Sequence, residues 1–315
     1  MTLIDKILQM REFNDQPPIL LDIGASGAIH KKWKRVAPYS ICIAFDADKR
    51  ELNAEPETNK GYKKLFVKNA LLTAHGSGES TFYLTASPYC SSLLKPSTEA
   101  LKKWSFSPLF DVEKTVQLSS VDISSILLEF SIDRIDWFKS DTQGTDLRLF
   151  TSVPKSIQEK ILVAEFEPGI IDAYDGEDKL HAVLNFMDAS KNFWLGDFVV
   201  KGTPRISYAD LKSIFSSRFT QKVVSRVGKI SPGWGELTFL NSFQDLSGFS
   251  KRDTLLGWVF ATIQGQHGFA LELANRGKTA YGDSLFNDLE KHSRMKIQGW
   301  LFSTGYFSLL KKLID

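Results

Sequence analysis

At 315 residues the chain is long enough for one large α/β domain, or one domain with an appendage, and a hydrophobic content of 43% supports a sizeable core. A formal net charge of +2 lacks the basic surplus that nucleic-acid binding demands, and the two cysteines, Cys42 and Cys90, lie far apart with no metal-ligand pattern, which fits a reducing compartment. Charges at Asp5, Lys6, Arg11 and Glu12 exclude a signal peptide, and no stretch is apolar for long enough to cross a membrane, so the expectation is a cytoplasmic protein without a transmembrane segment.

Leu3, Ile4, Ile7, Leu8 and Met10 recur at helical spacing and predict a short amphipathic helix over 2–12, packed on a sheet edge and stopped by Pro17-Pro18. The apolar run 18–23 reads as a buried parallel strand. It feeds Gly24-Ala25-Ser26-Gly27 and then a predicted helix over 28–36, the opening of a nucleotide-type βαβ unit. A dinucleotide fingerprint needs a third glycine, which is missing here. Asp22, just ahead of the turn, is poorly placed for a pyrophosphate and suits a ligand carrying an ammonium group. An ordinary strand-to-helix turn would explain the glycines as well.

The second strand, 40–45, ends in Asp46-Ala47-Asp48. A carboxylate at this point holds ribose hydroxyls in nucleotide-binding α/β folds, so Asp46 is assigned to ribose and Asp48 to helix capping or a lesser ligand contact. A third strand over 64–67 leads into Asn69-Ala70, the expected position of an adenine edge. An extra strand over 80–85 runs into a polar loop containing Cys90-Ser91-Ser92-Leu93-Leu94, long enough to be functional or simply a surface connection. A helix over 121–130 precedes a fourth strand marked by Ile135, Trp137 and Phe138. Its C-terminal loop, Asp141-Thr142-Gln143-Gly144, sits where open α/β sheets bind ligands.

A fifth strand over 161–166 carries Glu165 and Glu167, one expected to face the site and the other solvent. A helix over 178–187 and strands over 194–201 and 237–240 complete the sheet. The last two enclose an insert with a basic segment, 218–229, that could help choose a substrate. Residues 250–315 read as amphipathic helices, the final one at 307–314. The predicted organisation is therefore a domain over 1–250 and a helical extension over 251–315, possible ground for homo-oligomer contacts.

Taken together, Asp22-x-Gly24-x-x-Gly27 resembles the first motif of class I S-adenosylmethionine-dependent methyltransferases, and five ordered blocks resemble the FkbM-type methyltransferase family. They are Leu21 to Gly27, Phe45 to Asp48, Cys90 to Leu94, Ile135 to Leu147 and Ala164 to Glu167. The fourth block is the most specific, close to a family pattern I-D-x-x-K-x-D-x-Q-G-x-E-L. Departures are Asp46-Ala47 for the usual Glu-Pro, Asp146 for Glu, and Ser140 for an apolar residue.

The resemblance implies a class I Rossmann-like sheet of seven mostly parallel strands, the last antiparallel, with S-adenosyl-L-methionine as cofactor. It also implies methyl transfer to an oxygen of a sugar, glycan or small metabolite. The residues assigned to the cofactor are Asp22, Gly24, Ala25, Ser26, Gly27, Asp46, Ala47, Asn69, Ala70 and Asp141. Asp141 is the first choice for base or orienting carboxylate, Gln143 holds the acceptor, and Glu165 is the next choice, followed by His30 or His75. Ser91, Ser92 and His30 are assigned to substrate, and no metal site is required by spacing. The rivals are an NAD-dependent dehydrogenase, an inactive Rossmann-like interaction module, and a methyltransferase acting on protein or nucleic acid.

Overall fold

The computed structural model describes residues 2–25, 30–45, 47–48, 61–74 and 76–302. Ser26, Gly27, Asp46, His75 and the expected final helix at 307–314 lie outside them. Ten strands follow in chain order: β1 (Ile19–Ile23), β2 (Ile41–Phe45), β3 (Lys64–Lys68), β4 (Leu71–Thr73), β5 (Gly78–Thr85), β6 (Val112–Asp122), β7 (Trp137–Ser140), β8 (Val163–Phe166), β9 (Phe193–Thr203) and β10 (Ser231–Asn241). Seven of them form one sheet in the order β3-β2-β1-β7-β8-β10-β9, and β4-β6-β5 form a second, small sheet.

In the large sheet β3, β2, β1, β7 and β8 run parallel, while β10 lies antiparallel to both β8 and β9. The apolar runs of the parallel strands make this possible, because both faces of such a sheet are covered. One face carries Leu21, Ile23, Ile43, Phe45, Phe138, Phe166 and Phe239. It packs against Ile123, Ile126 and Leu127 of the helix Ile123–Glu129, Leu149 and Phe150 of Asp146–Ser152, and Val183 and Met187 of Leu180–Ser190. Phe150 meets Phe138 and Phe166 edge-on, each with ring centroids 5.2 Å apart. The expected helices at 121–130 and 178–187 are thus present, the former capped by Asp122, which accepts from the Ser125 N–H at 2.9 Å.

The chain divides into two compact units. Residues 19–29 and 40–242 form the sheet unit; residues 1–18, 30–39 and 243–315 form the other. In the latter, the N-terminal helices Leu3–Leu8 and Arg11–Asp15 cluster with Lys251–Ile263, His267–Tyr281 and Leu285–Gly299. The single helix expected over 2–12 is instead these two short helices, and within their unit Lys251 lies 3.5 Å from Glu12 while Arg252 donates to the Gln16 carbonyl at 3.0 Å, just past the second of them. The helix Lys251–Ile263 is buried on nearly every side, so its apolar residues do not mark a single stripe.

The helix expected over 28–36 is also corrected. Residues 31–33 and 37–39 are short 3₁₀ turns. Trp33 and Val36, both fully buried, are three apart, the spacing at which a 3₁₀ turn brings side chains into line.

Candidate active site at the carboxyl ends of the parallel strands

The turn after β1 brings three strand ends together. Gly24 has φ +83°, and the N–H groups of Gly24 and Ala25 both donate to the Phe45 carbonyl at 2.9 Å. The Asp141 N–H donates to the Ile23 carbonyl at 2.9 Å, and a Cβ at Gly24 would stand 2.0 Å from the Asp141 carbonyl oxygen. Glycine is needed here for the left-handed backbone and for this close approach. Ala25 is buried beside it, and Ala47 is half-buried after β2. Asn69 is exposed and Ala70 half-buried at the turn between β3 and β4.

A row of polar side chains crosses one face of the sheet at this level. Register pairs Asp22 with Lys139, Lys139 with Glu165, and Glu165 with Thr238. Lys139 Nζ lies 2.8 Å from Asp22 Oδ1, with both side chains largely withdrawn from solvent. Burial opposes the charge on Lys139, but the neighbouring carboxylates of Asp22 and Asp141 outweigh it and raise its pKa.

Glu165 accepts from Trp137 Nε1 at 3.2 Å and from Thr238 Oγ1 at 3.1 Å. It belongs to this buried row. The expectation that one of Glu165 and Glu167 faces solvent fails: Glu165 is buried and Glu167 half-buried. Residues two apart at a strand end project to the same side, so a division between site and solvent was never available to them.

Past β7 the backbone turns through Gln143 (φ +56°) and Gly144 (φ +108°). Gln143 Nε2 donates to Asp141 Oδ1 at 2.7 Å, and its Oε1 lies 3.2 Å from the Tyr174 hydroxyl, itself 2.8 Å from the Cys90 carbonyl. The Asp141 carboxyl is pushed up to about 6 by burial, which outweighs the attraction of Lys139 and is reinforced by Asp146. Glu167 is pushed up to about 9 by burial and then by the carboxylates of Asp141 and Glu236. Burial also pushes the Cys90 thiol up to about 11, with Asp141 adding to it.

The Cys90–Leu94 loop is fastened to this turn. Ser92 Oγ donates to the Gln143 carbonyl at 2.8 Å and accepts from the Leu94 N–H at 3.0 Å. Ser91 Oγ donates to Asp48 Oδ2 at 3.1 Å, so Asp48 ties the loop after β2 to the Cys90–Leu94 loop. Ser92, assigned from sequence to substrate, has its hydroxyl engaged with the loop itself. His30 stands in the helical unit, before the turn at 31–33, with its ring edge-on to Trp33 at 5.9 Å.

Asp146 begins the helix that follows and is fully enclosed. It accepts from Ser140 Oγ at 2.8 Å, Thr142 N–H at 3.0 Å, Thr142 Oγ1 at 2.6 Å and Glu167 N–H at 2.8 Å, joining the ends of β7 and β8. Burial raises its pKa even so. Asp136, at the head of the same sequence block, accepts from the Ile19 N–H at 2.8 Å and so fixes the start of β1.

Sequence reasoning missed Lys139 and Tyr174 as members of this site, and left open which of Glu165 and Glu167 faces it. Strand alternation puts Lys139 on the same face as Asp141 and could have found it. Tyr174 comes from a distant loop with no local signal. Among the described residues, no group of three His, Cys, Asp or Glu side chains is placed to hold a metal ion.

A mostly parallel sheet with polar groups gathered outside its carboxyl ends defines a Rossmann-like α/β protein, with these groups where open α/β sheets commonly bind ligands. A model of the methyltransferase FkbM domain matches residues 26–193, just over half the chain. The chain belongs to the FkbM methyltransferase family, and the resemblance drawn from the five sequence blocks is borne out. No curated protein and no solved structure matches the chain significantly.

Proposed function

We propose that the protein is an S-adenosyl-L-methionine-dependent O-methyltransferase acting on a hydroxyl of a sugar, glycan or small metabolite. The observation that carries this reading is the Asp141 carboxyl, half-buried at the carboxyl end of β7, held by Gln143 at 2.7 Å and pushed up to about 6. A carboxylate so tuned is a competent general base near neutral pH.

The charges suit the cofactor. Asp22 and Asp141 bring two carboxylates against the single ammonium of Lys139, leaving a net negative charge above the pKa of Asp141. Such a site favours a ligand carrying ammonium and sulfonium groups. Gly24, Ala25, Ser26 and Gly27 would line the turn that receives it, Asp46 and Ala47 would meet the ribose, and Asn69 and Ala70 the adenine. When bound, the cofactor supplies an electrophilic methyl group. The residues then have to hold an acceptor oxygen roughly 3–3.5 Å from the methyl carbon and take its proton. Asp141 takes the proton, Gln143 fixes the carboxylate and contacts the acceptor, and Lys139 keeps Asp22 oriented. Ser91 and the Cys90–Leu94 loop border the acceptor.

The test is transfer of labelled methyl groups from S-adenosylmethionine across a panel of sugars, glycolipids and hydroxylated metabolites, with wild type beside Asp141→Asn. Turnover should rise with pH through an inflection near 6. The variant should bind cofactor normally and lose roughly 100-fold or more in turnover. Near-full turnover in the variant would remove Asp141 from the base role.

A further inference from the structure

Between β9 and β10 the chain does not make a tight hairpin, although antiparallel neighbours can be joined by two residues. Residues 204–230 intervene, including helices Tyr208–Ile214 and Arg218–Val227. The direction of the strands fixes where this insert emerges. β9 runs antiparallel to β10, which runs antiparallel to β8, so the end of β9 and the start of β10 lie at the same sheet edge as the carboxyl ends of β1, β7 and β8. The Ile170 and Ile171 N–H groups donate to the Gly233 carbonyl, which ties the loop after β8 to the root of the insert.

The helix Arg218–Val227 is amphipathic in the reverse sense to an ordinary surface helix. Its buried position is a polar one: Gln221, whose Nε2 donates to the Phe215 carbonyl at 2.6 Å. Its outward stripe is apolar. Phe219, Val223 and Val227, spaced by four, are all exposed, Phe219 by 77% and Val227 by 76%. Arg218, Lys222 and Arg226, also spaced by four and exposed, form a parallel stripe alongside. Ile214 and Ile230 extend the exposed apolar surface at either end, by 61% and 53%. From Leu211 to Ile230 the chain has no acidic residue, while Lys212 and Lys229 add to the positive charge.

Outward-facing apolar side chains flanked by cations are the signature of a helix lying in a lipid–water interface. A second copy of the chain is a poor cover for this face, because symmetric pairing would bring its cationic stripes together. Among the described residues, no helix is long and apolar enough to cross a membrane. We infer that residues 211–230 dock this edge of the sheet, by the Phe219-Val223-Val227 stripe and its neighbouring cations, on the surface of an anionic lipid bilayer. On the methyl-transfer reading, from which the docking itself is independent, the acceptor hydroxyl is then one carried by a lipid at that surface.

Co-sedimentation of the full chain with vesicles tests the docking without reference to activity. The chain should sediment with phosphatidylcholine–phosphatidylglycerol vesicles and release as salt rises, and should bind pure phosphatidylcholine at least about tenfold more weakly. Lys222→Glu with Arg226→Glu should weaken binding to the anionic vesicles by about tenfold or more. Phe219→Ser with Val227→Ser should do the same through lost apolar burial. The melting temperature of both variants should stay at the wild-type value, since these side chains are exposed. The salt and lipid-charge dependence of the wild type stands as a test even without variants. Absence of vesicle binding, indifference to lipid charge, or unchanged binding by both variants would overturn the inference. So would a solution dimer that Phe219→Ser with Val227→Ser dissolves, which would make a second copy the occupant.

Discussion

Lys139 and Glu167 set the charge of the site from opposite directions. Lys139 is held charged between Asp22 and Asp141, whereas Glu167 is held neutral up to about 9. The sign of the consequence for stability follows. Below 4.5, Glu167 is protonated in both folded and unfolded chains. From 4.5 to about 9 the unfolded chain ionises and the folded one does not, so stability is lost as pH rises through that window. The melting temperature should therefore fall across it, and Glu167→Gln should flatten the slope and gain most over wild type at the alkaline end. Parallel melting curves of the two proteins from acid to alkaline pH would contradict the burial of this carboxyl. None of this was legible beforehand. Both glutamates, Glu165 inside β8 and Glu167 just after it, were visible as residues, but which of them meets Asp141 depends on where β8 ends and on the Asp146 carboxylate that seizes the Glu167 N–H.

Among the elements, the turn that joins β7 to the following helix depends most on one side chain. Asp146 satisfies four donors from Ser140, Thr142 and Glu167. Asp146→Ala leaves them buried without their acceptor, and each such group costs roughly 1–3 kcal/mol, so a loss of about 3 kcal/mol or more is expected in urea unfolding. A loss below about 1 kcal/mol would mean that water or backbone replaces the carboxylate. The conservative replacement of Glu by Asp at this position was legible as a departure from the family pattern; its structural duty was not. The apolar runs of β1, β2, β7 and β8 were legible because buried parallel strands need them. β6 was missed because its exposed, polar-rich run Val112–Asp122 has no sustained apolar face. The helix Leu285–Gly299 was missed for a similar reason, burying few of its side chains, Phe286 and Leu289 among them.

At the scale of the whole molecule, the seven mostly parallel strands and the antiparallel β10 agree with the sheet that the family resemblance implied. The clustering of residues 1–18 and 30–39 with 243–315 had no local signature, since it joins segments from opposite ends of the chain. The central claim is that the carboxyl ends of this sheet bind S-adenosylmethionine. The most direct measurement is calorimetric titration of S-adenosylmethionine, its demethylated product and NAD into wild type and Asp46→Ala. Micromolar binding of the two sulfur compounds, weakened in the variant, with no binding of NAD, is the predicted result. Binding of NAD, or of none of the three, would contradict it.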